Sequence, residues 1–110
     1  MFRKKEIIKV NKKFGGHISR DSSLDYALSM QKHKKYGSYK KLAHIWRAIL
    51  IDHPFTDGNK RTALWIAIKF AEGNKKKLHI QKLNKLIIKI AKKNIHSIAK
   101  IERSLRNAIR

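Results

Sequence analysis

Residues 53–61 read His-Pro-Phe-Thr-Asp-Gly-Asn-Lys-Arg, and this polar stretch separates two strongly apolar segments. Before it, residues 42–51 repeat apolar side chains with the period of a helix, and after it residues 63–68 are apolar at every position. Pro54 ends the first helix, because proline disfavours helical backbone in the residue before it. The sequence therefore predicts two hydrophobic helices joined by a short loop with acid–base and anion-binding side chains.

The composition indicates a single soluble globular domain over residues 1–110. Hydrophobic residues make up 42% and charged residues 32% of the chain, which suits one hydrophobic core. The chain has no cysteine, which excludes disulfides and thiolate zinc sites. It has no signal-peptide pattern and no run of about 18 apolar residues, so a cytoplasmic protein without membrane contact is expected.

The net charge of +21, from 28 Lys and Arg against 7 Asp and Glu, is extreme for 110 residues. Such a field attracts polyanions over long distances. Three explanations stay open: nucleic-acid binding, an acidic protein partner, and a lysine-rich composition without a specific role. The cations are spread along the chain and form no stripe interleaved with aromatic residues, so nucleic acid is the secondary expectation.

Apolar periodicity predicts an all-α bundle of about six helices. The expected ranges are 6–14, from Ser22 or Ser23 to about residue 32, 39–51, 59–73, 81–92 and 95–109. The fourth helix is apolar on every face at residues 63–68, which predicts that it is buried at the centre of the fold. One short extended segment is expected at residues 77–80.

The start of the fourth helix has the features of an anion site. Unpaired backbone N–H groups and the helix dipole attract anions there. Gly58 allows a phosphate to approach the backbone closely. Asn59 adds a side-chain amide, and Lys60 and Arg61 add a mobile and a forked cation.

Three other residues of the loop suit a reaction on a phosphate. Asp57 could bind a Mg²⁺ ion shared with phosphates. His53 suits proton abstraction near neutral pH, and Phe55 is expected to anchor the loop in the core. The remaining histidines lack metal-ligand spacing and are interpreted as surface or structural residues: His17, His33, His44, His79 and His96.

The stretch HPFTDGNKRTAL from His53 to Leu64 resembles the signature H-x-F-x-[D/E]-G-N-[G/K]-R of the Fic/Doc, or fido, family. Residues 15–28, with Gly-Gly, Arg-Asp and Leu-Asp-Tyr-Ala-Leu, are similar to the family's GG…RD…LxxAL segment. The resemblance implies the fido fold and an ATP- and Mg²⁺-dependent transferase that modifies a hydroxyl on a target protein. It also implies that His53 is the catalytic base, that Asp57 holds the metal, and that residues 58–61 hold the phosphates.

Lys60 and Leu64 distinguish two branches of this family. The branch that transfers AMP usually has glycine in place of Lys60 and arginine in place of Leu64. The sequence GNKRTAL is more similar to the Doc (death-on-curing) branch, the toxins of toxin–antitoxin pairs, which transfer the terminal phosphate of ATP. The resemblance therefore favours a protein kinase, with AMP transfer and an inactive fido domain that acts as a basic binding module as alternatives.

The family also has a flap before the motif that docks the target, and residues 32–41 take the matching place. The expected docking residues are Lys34, Lys35, Tyr36, Gly37, Ser38 and Tyr39. Their basic character favours an acidic or nucleic-acid-bound target, such as part of the translation machinery. The family's self-inhibiting pattern [S/T]-x-x-x-E-[G/N] is absent, since Glu102 follows Ser97 by five positions. An acidic antitoxin acting in trans is therefore expected.

Overall fold

In a computed structural model that describes residues 2–110, the chain forms six α-helices and one 3-10 turn. They are α1 (Lys4–Lys13), α2 (Ser22–Ser29) with the 3-10 turn Met30–Lys32, α3 (Ser38–Asp52), α4 (Asn59–Gly73), α5 (Ile80–Lys93) and α6 (Ile98–Ala108). Within this range no named strand occurs, although isolated β-bridges join Ile18 to Phe55 and Leu78 to Ile109. The predicted all-α fold is confirmed. Of the extended segment expected at 77–80, Leu78 lies in a bridge, whereas Ile80 is already the first residue of α5. Among the described residues, no helix combines the length and apolarity needed to cross a membrane.

The central position belongs to α3, which packs against α2, α4, α5 and α6. Its buried side chains include those of the predicted apolar face: Leu42, Ile45, Trp46, Ile49 and Leu50. α4 contributes Ile66 to the same core, but Leu64, Trp65 and Ile68 are only half-buried. This corrects the expectation that α4 is buried on every face, because its outer side is covered only partly, by α1 and the N-terminal residues.

A hydrogen bond between α3 and α4 fixes the two helices on either side of the loop. The indole Nε1 of Trp46, which is fully buried, donates to the carbonyl of Ala63 at 3.0 Å. Trp46 lies in the second half of α3 and Ala63 in the second turn of α4. The end of α3 and the start of α4 are therefore held together, and the loop at residues 53–58 emerges at this end of the pair.

The C-terminal helix closes the opposite side of the core. Leu105 of α6 is fully buried in the core, and α6 packs on α3. The hydroxyl of Tyr39 donates to the carbonyl of Ile109 at 2.6 Å, and Tyr39 is only 8% exposed. Tyr39 was expected to dock a target protein, but its side chain belongs to the core and links the start of α3 to the end of the chain.

We expect Leu105→Ala to lower the free energy of unfolding by about 2–5 kcal/mol, because it leaves a cavity between α6 and α3. Urea denaturation measures this change. Ile88→Ala on α5 is the control, since Ile88 is 55% exposed and its truncation should change stability by at most about 0.5 kcal/mol. Equal losses in the two variants would contradict the packing of α6 described here.

The buried His44 makes the stability of the fold depend on pH. Burial lowers the pKa of its imidazole below the ordinary value of 6.5, and the nearby Arg47 and Lys40 lower the pKa further. The native state therefore binds fewer protons than the unfolded chain, so stability that is complete above pH 6.5 is lost as the pH falls through the lowered pKa.

We expect His44→Phe to make the free energy of unfolding less dependent on pH below 6.5, because phenylalanine keeps an aromatic ring but has no titrating group. Urea denaturation at a series of pH values measures this dependence in both proteins. A variant that loses stability with acid as steeply as the wild type would show that His44 is not responsible.

Candidate functional site

The loop at residues 53–58 is held by backbone hydrogen bonds to residues 17–20, which follow α1. Two N–H groups of residues 17–20 donate to the carbonyl of Pro54, at 2.8 and 3.2 Å. Thr56 donates its N–H to the carbonyl of His17 at 2.9 Å. These bonds give the loop a defined path although it belongs to no helix.

Asn59 supports the loop from the inside. Its side-chain amide donates to the carbonyl of Phe55 at 2.9 Å and accepts from the N–H of Phe55 at 3.2 Å. Phe55 is 2% exposed, so it anchors the loop in the core as the sequence indicated. Since the Asn59 side chain is buried and bonded to Phe55, only its backbone N–H remains for a phosphate, which corrects the role expected for that side chain.

Asn11 of α1 is a site residue that the sequence analysis missed. It is fully buried, and its Nδ2 donates to the carbonyl of Asp57 at 2.8 Å and to Oγ1 of Thr62 at 3.1 Å. It thereby connects α1 to both the loop and the first turn of α4. Its position in the sequence could have indicated this role. Asn11 comes four residues after Ile7, on the apolar face of α1, where a buried polar side chain needs a hydrogen-bond partner.

Two glycines are required where the chain comes close to itself at this site. Gly58 has a left-handed backbone with φ of 72°, and a Cβ there would lie 2.9 Å from Cβ of Phe14. A Cβ on Gly16 would overlap the carbonyl oxygen of Asp57. Larger residues at either position would therefore push α1 and its following turn away from the loop.

The predicted catalytic, metal-binding and phosphate-binding residues lie around one cavity of about 380 Å³. Its lining includes His53, Asp57, Gly58, Lys60 and Arg61. The side chains of all these residues except Gly58 are exposed at its surface. His53 follows the last residue of α3 and has φ of 48°, a left-handed conformation that non-glycine residues rarely adopt. The structure therefore places these five residues, and also the buried Asn59, around one cavity.

The N-terminus of α4 opens into this cavity without a side-chain cap. The first bond of the helical ladder runs from the N–H of Thr62 to the carbonyl of Gly58 at 2.9 Å. The N–H groups of residues 59–61 therefore have no partner within the helix. Together with the exposed cations of Lys60 and Arg61, they form an anion site that suits a polyphosphate.

Asp57 fits a Mg²⁺ ion that is shared with phosphates. One of its carboxylate oxygens accepts from the N–H of Gly58 at 2.7 Å, and Asp57 is the one carboxylate in the cavity lining. Among the described residues, no group of three or more His, Cys, Asp or Glu side chains could hold a metal by itself. A Mg²⁺ ion here would take its other ligands from phosphates and water, which is a usual mode for this ion.

The predicted docking flap does not lie beside the site. Residues 34–37 form the turn before α3, and Ser38 begins that helix, whereas His53 follows its other end. A helix of 15 residues is about 22 Å long. Ser38 instead shares a cavity with Gly73, at the far end of α4. The order of segments along the chain misplaced the flap, and residues 17–20 are the segment that borders the loop.

One of three comparisons with known proteins gave a match. A family model described as the Fic/DOC family matches residues 2–71. The matched part runs from the start of α1 into the last turn of α4, so it contains the loop, Asn11 and residues 17–20. Searches of curated proteins and of solved structures gave no significant match.

We expect Asn11→Ala to lower the free energy of unfolding by about 1–3 kcal/mol, because the Asp57 carbonyl and the Thr62 hydroxyl lose a buried donor. Hydrogen exchange at the amides of the loop should become faster, since α1 no longer holds it. Asn84→Ala, at an exposed position of α5, is the control. Unchanged loop exchange in Asn11→Ala would show that residues 17–20 are sufficient to hold the loop.

Proposed function

The chain belongs to the Fic/DOC family, and we propose that it transfers the terminal phosphate of ATP to a hydroxyl side chain of a target protein, as a Doc-like toxin does. One observation carries this proposal. His53, Asp57 and the uncapped N-terminus of α4 line a single cavity, so a proton acceptor, a metal-binding carboxylate and an anion site meet there.

The reaction would begin with His53 removing the proton from the target hydroxyl. The oxygen then forms a bond to the terminal phosphorus, the bond from that phosphorus to the bridging oxygen breaks, and ADP leaves. The N–H groups at the start of α4, together with Lys60 and Arg61, would stabilise negative charge on the phosphate oxygens. A Mg²⁺ ion bound to Asp57 and the phosphates would neutralise further charge there.

Lys60 and Leu64 support phosphoryl transfer over AMP transfer. The exposed Lys60 is the second residue of α4, so its cation can reach the phosphates directly. The half-buried Leu64 leaves Arg61 as the one arginine of the cavity lining. Because the AMP-transferring branch usually has a second arginine at that position, this site resembles that branch less. AMP transfer is the second candidate, since the α4 N-terminus can accept any phosphate of ATP.

The charge of the protein supports an acidic partner. Within residues 2–110, the ion pairs involve only Lys4, Lys69 and Arg106 among the cations, and all of these pairs are at the surface. Most of the 28 cations therefore remain available for acidic groups of another molecule. We propose an acidic antitoxin as the inhibitor in trans, and a cytoplasmic location, where ATP is available.

The proposed target is restricted to a protein hydroxyl. A target in the translation machinery was expected because a basic flap was placed beside the site. Residues 34–37 lie at the other end of α3, so that argument no longer applies. Residues 17–20 now occupy the position next to the loop, and they contain one cation, Arg20. The high overall charge still favours an acidic target, but it does not identify one.

The decisive experiment compares ATP labelled at the terminal phosphate with ATP labelled at the first phosphate, in a bacterial lysate treated with the protein. We expect protein-bound label only from the terminal phosphate. His53→Ala should lower the rate by about 10²- to 10⁴-fold, because the general base is lost. Its melting temperature should not change, since His53 is exposed, and His96→Ala is a matched exposed control.

Each other outcome contradicts part of the proposal. Label from the first phosphate would show AMP transfer. No label from either ATP would favour an inactive domain that acts as a binding module. Full activity of the His53→Ala variant would exclude His53 as the base.

A further inference from the structure

The proposed transferase does not use a column of three aromatic rings, two from the segment before α3 (His33 and Tyr36) and one from α3 itself (His44). The rings of His33 and Tyr36 are stacked, with centres 3.8 Å apart and planes 6° apart. The rings of Tyr36 and His44 are also parallel, with centres 5.6 Å apart and planes 5° apart. His44 is buried, Tyr36 is half-buried and His33 is exposed, so the column runs from the core to the surface and ends in an exposed ring.

The outer ring of this column is held in place. The N–H of Lys35 donates to Nδ1 of His33 at 3.3 Å, and the N–H of Tyr36 donates to the carbonyl of His33 at 3.1 Å. The ammonium of Lys40 lies 4.0 Å from the centre of the Tyr36 ring. A ligand that stacks on His33 would therefore meet a ring that is already oriented, so binding would require little loss of side-chain freedom.

Positive charge surrounds the exposed end of the column. Lys32, Lys34 and Lys35 are exposed beside His33. Residues 26–51 as a whole contain six cations and no carboxylate. A flat aromatic face next to several cations is the arrangement that binds single-stranded nucleic acid, because bases stack on the ring and phosphates contact the cations. An acidic peptide would use the cations but has no need of the flat ring.

We propose that His33, Lys34, Lys35 and Tyr36 form a binding surface for single-stranded nucleic acid, here called the stacking surface. One base stacks on the outer face of His33, and its neighbouring phosphates contact Lys34 and Lys35. His44, eight residues beyond Tyr36, is the buried end of the column and reaches Tyr36 only in the fold. The stacking surface lies at the end of α3 opposite His53, so it can be occupied while the cavity at His53 binds another molecule.

The first test measures fluorescence anisotropy with two labelled oligodeoxynucleotides of about ten nucleotides. One is oligodeoxyadenylate, and the other is an abasic strand with the same phosphates. We expect the wild-type protein to bind oligodeoxyadenylate at least about fivefold more tightly, which is the lower end of the effect of one base stacked on an aromatic ring. His33→Ala should abolish this difference, and His33→Phe should keep it.

His96→Ala is the matched control for His33→Ala, because His96 is also an exposed histidine and takes part in no aromatic contact among the described residues. It should bind like the wild type. Equal affinity of the wild-type protein for the two strands would overturn the proposal, as would equal binding by His33→Ala and His96→Ala. His53→Ala should bind normally, so failure of the proposed transfer reaction and failure of this proposal can be distinguished.

The second test separates local charge from the overall charge of the protein. The double variant Lys34→Gln, Lys35→Gln and the control Lys92→Gln, Lys93→Gln, at the end of α5, each remove two exposed lysines. With oligodeoxyadenylate, the variant Lys34→Gln, Lys35→Gln should show a slope of log affinity against log salt that is smaller by about 1.4. It loses two phosphate contacts, and each contributes about 0.7 with single strands. The control should keep the wild-type slope.

Equal reductions in the two double variants would show that binding follows net charge alone, and this would overturn the stacking surface. Polyglutamate serves as a probe for an acidic peptide. If it displaces oligodeoxyadenylate from the wild type and from His33→Ala equally well, the surface binds acidic groups without stacking, and the proposal is also overturned.

Discussion

The backbone hydrogen bonds between residues 17–20 and residues 54–56 are the interaction on which the site depends. A loop that leaves a helix loses its helical hydrogen bonds, and its buried polar groups need new partners. Here the segment after α1 supplies partners from one side, and Asn59 supplies them to Phe55 from the other. Most of the loop's backbone bonds thus come from outside the loop, although Asp57 and Thr56 also accept from backbone N–H groups.

The same interaction explains why the site includes the start of the chain as well as the helices that flank the loop. Asn11 reaches the carbonyl of Asp57 only because Gly16 and Gly58 let α1 and its turn approach the loop closely. The orientation of Asp57 is thus fixed by a helix 46 residues earlier in the sequence. A substitution in α1 can disturb the cavity without contacting any molecule inside it.

Features with local causes could be predicted from the sequence. The helices follow from apolar periodicity, Pro54 and Asn94 mark helix ends, and the residues around the cavity are close together in the sequence. Features that depend on contacts between distant segments could not be predicted. Neither the position of residues 34–37 nor the partner of the Asn59 side chain follows from the order of residues. The sequence also could not show that α3, and not α4, is the central helix. Trp46 of α3 is buried and Trp65 of α4 is half-buried, but the two residues are equally apolar in the sequence.

Lysine and arginine side chains without an ion-pair partner influence the stability of the whole fold, including both ends of α3. Few of the cations take part in ion pairs within the described residues, and those pairs are exposed to solvent, which weakens their attraction. The remaining cations repel one another in the native state, so the charge lowers stability rather than raising it. A polyanion that binds the native state reduces this repulsion and stabilises the fold in proportion to its affinity and concentration. If a polyanion binds at either end of α3, it would also stabilise the loop at His53, because both ends belong to the same helix and the same core.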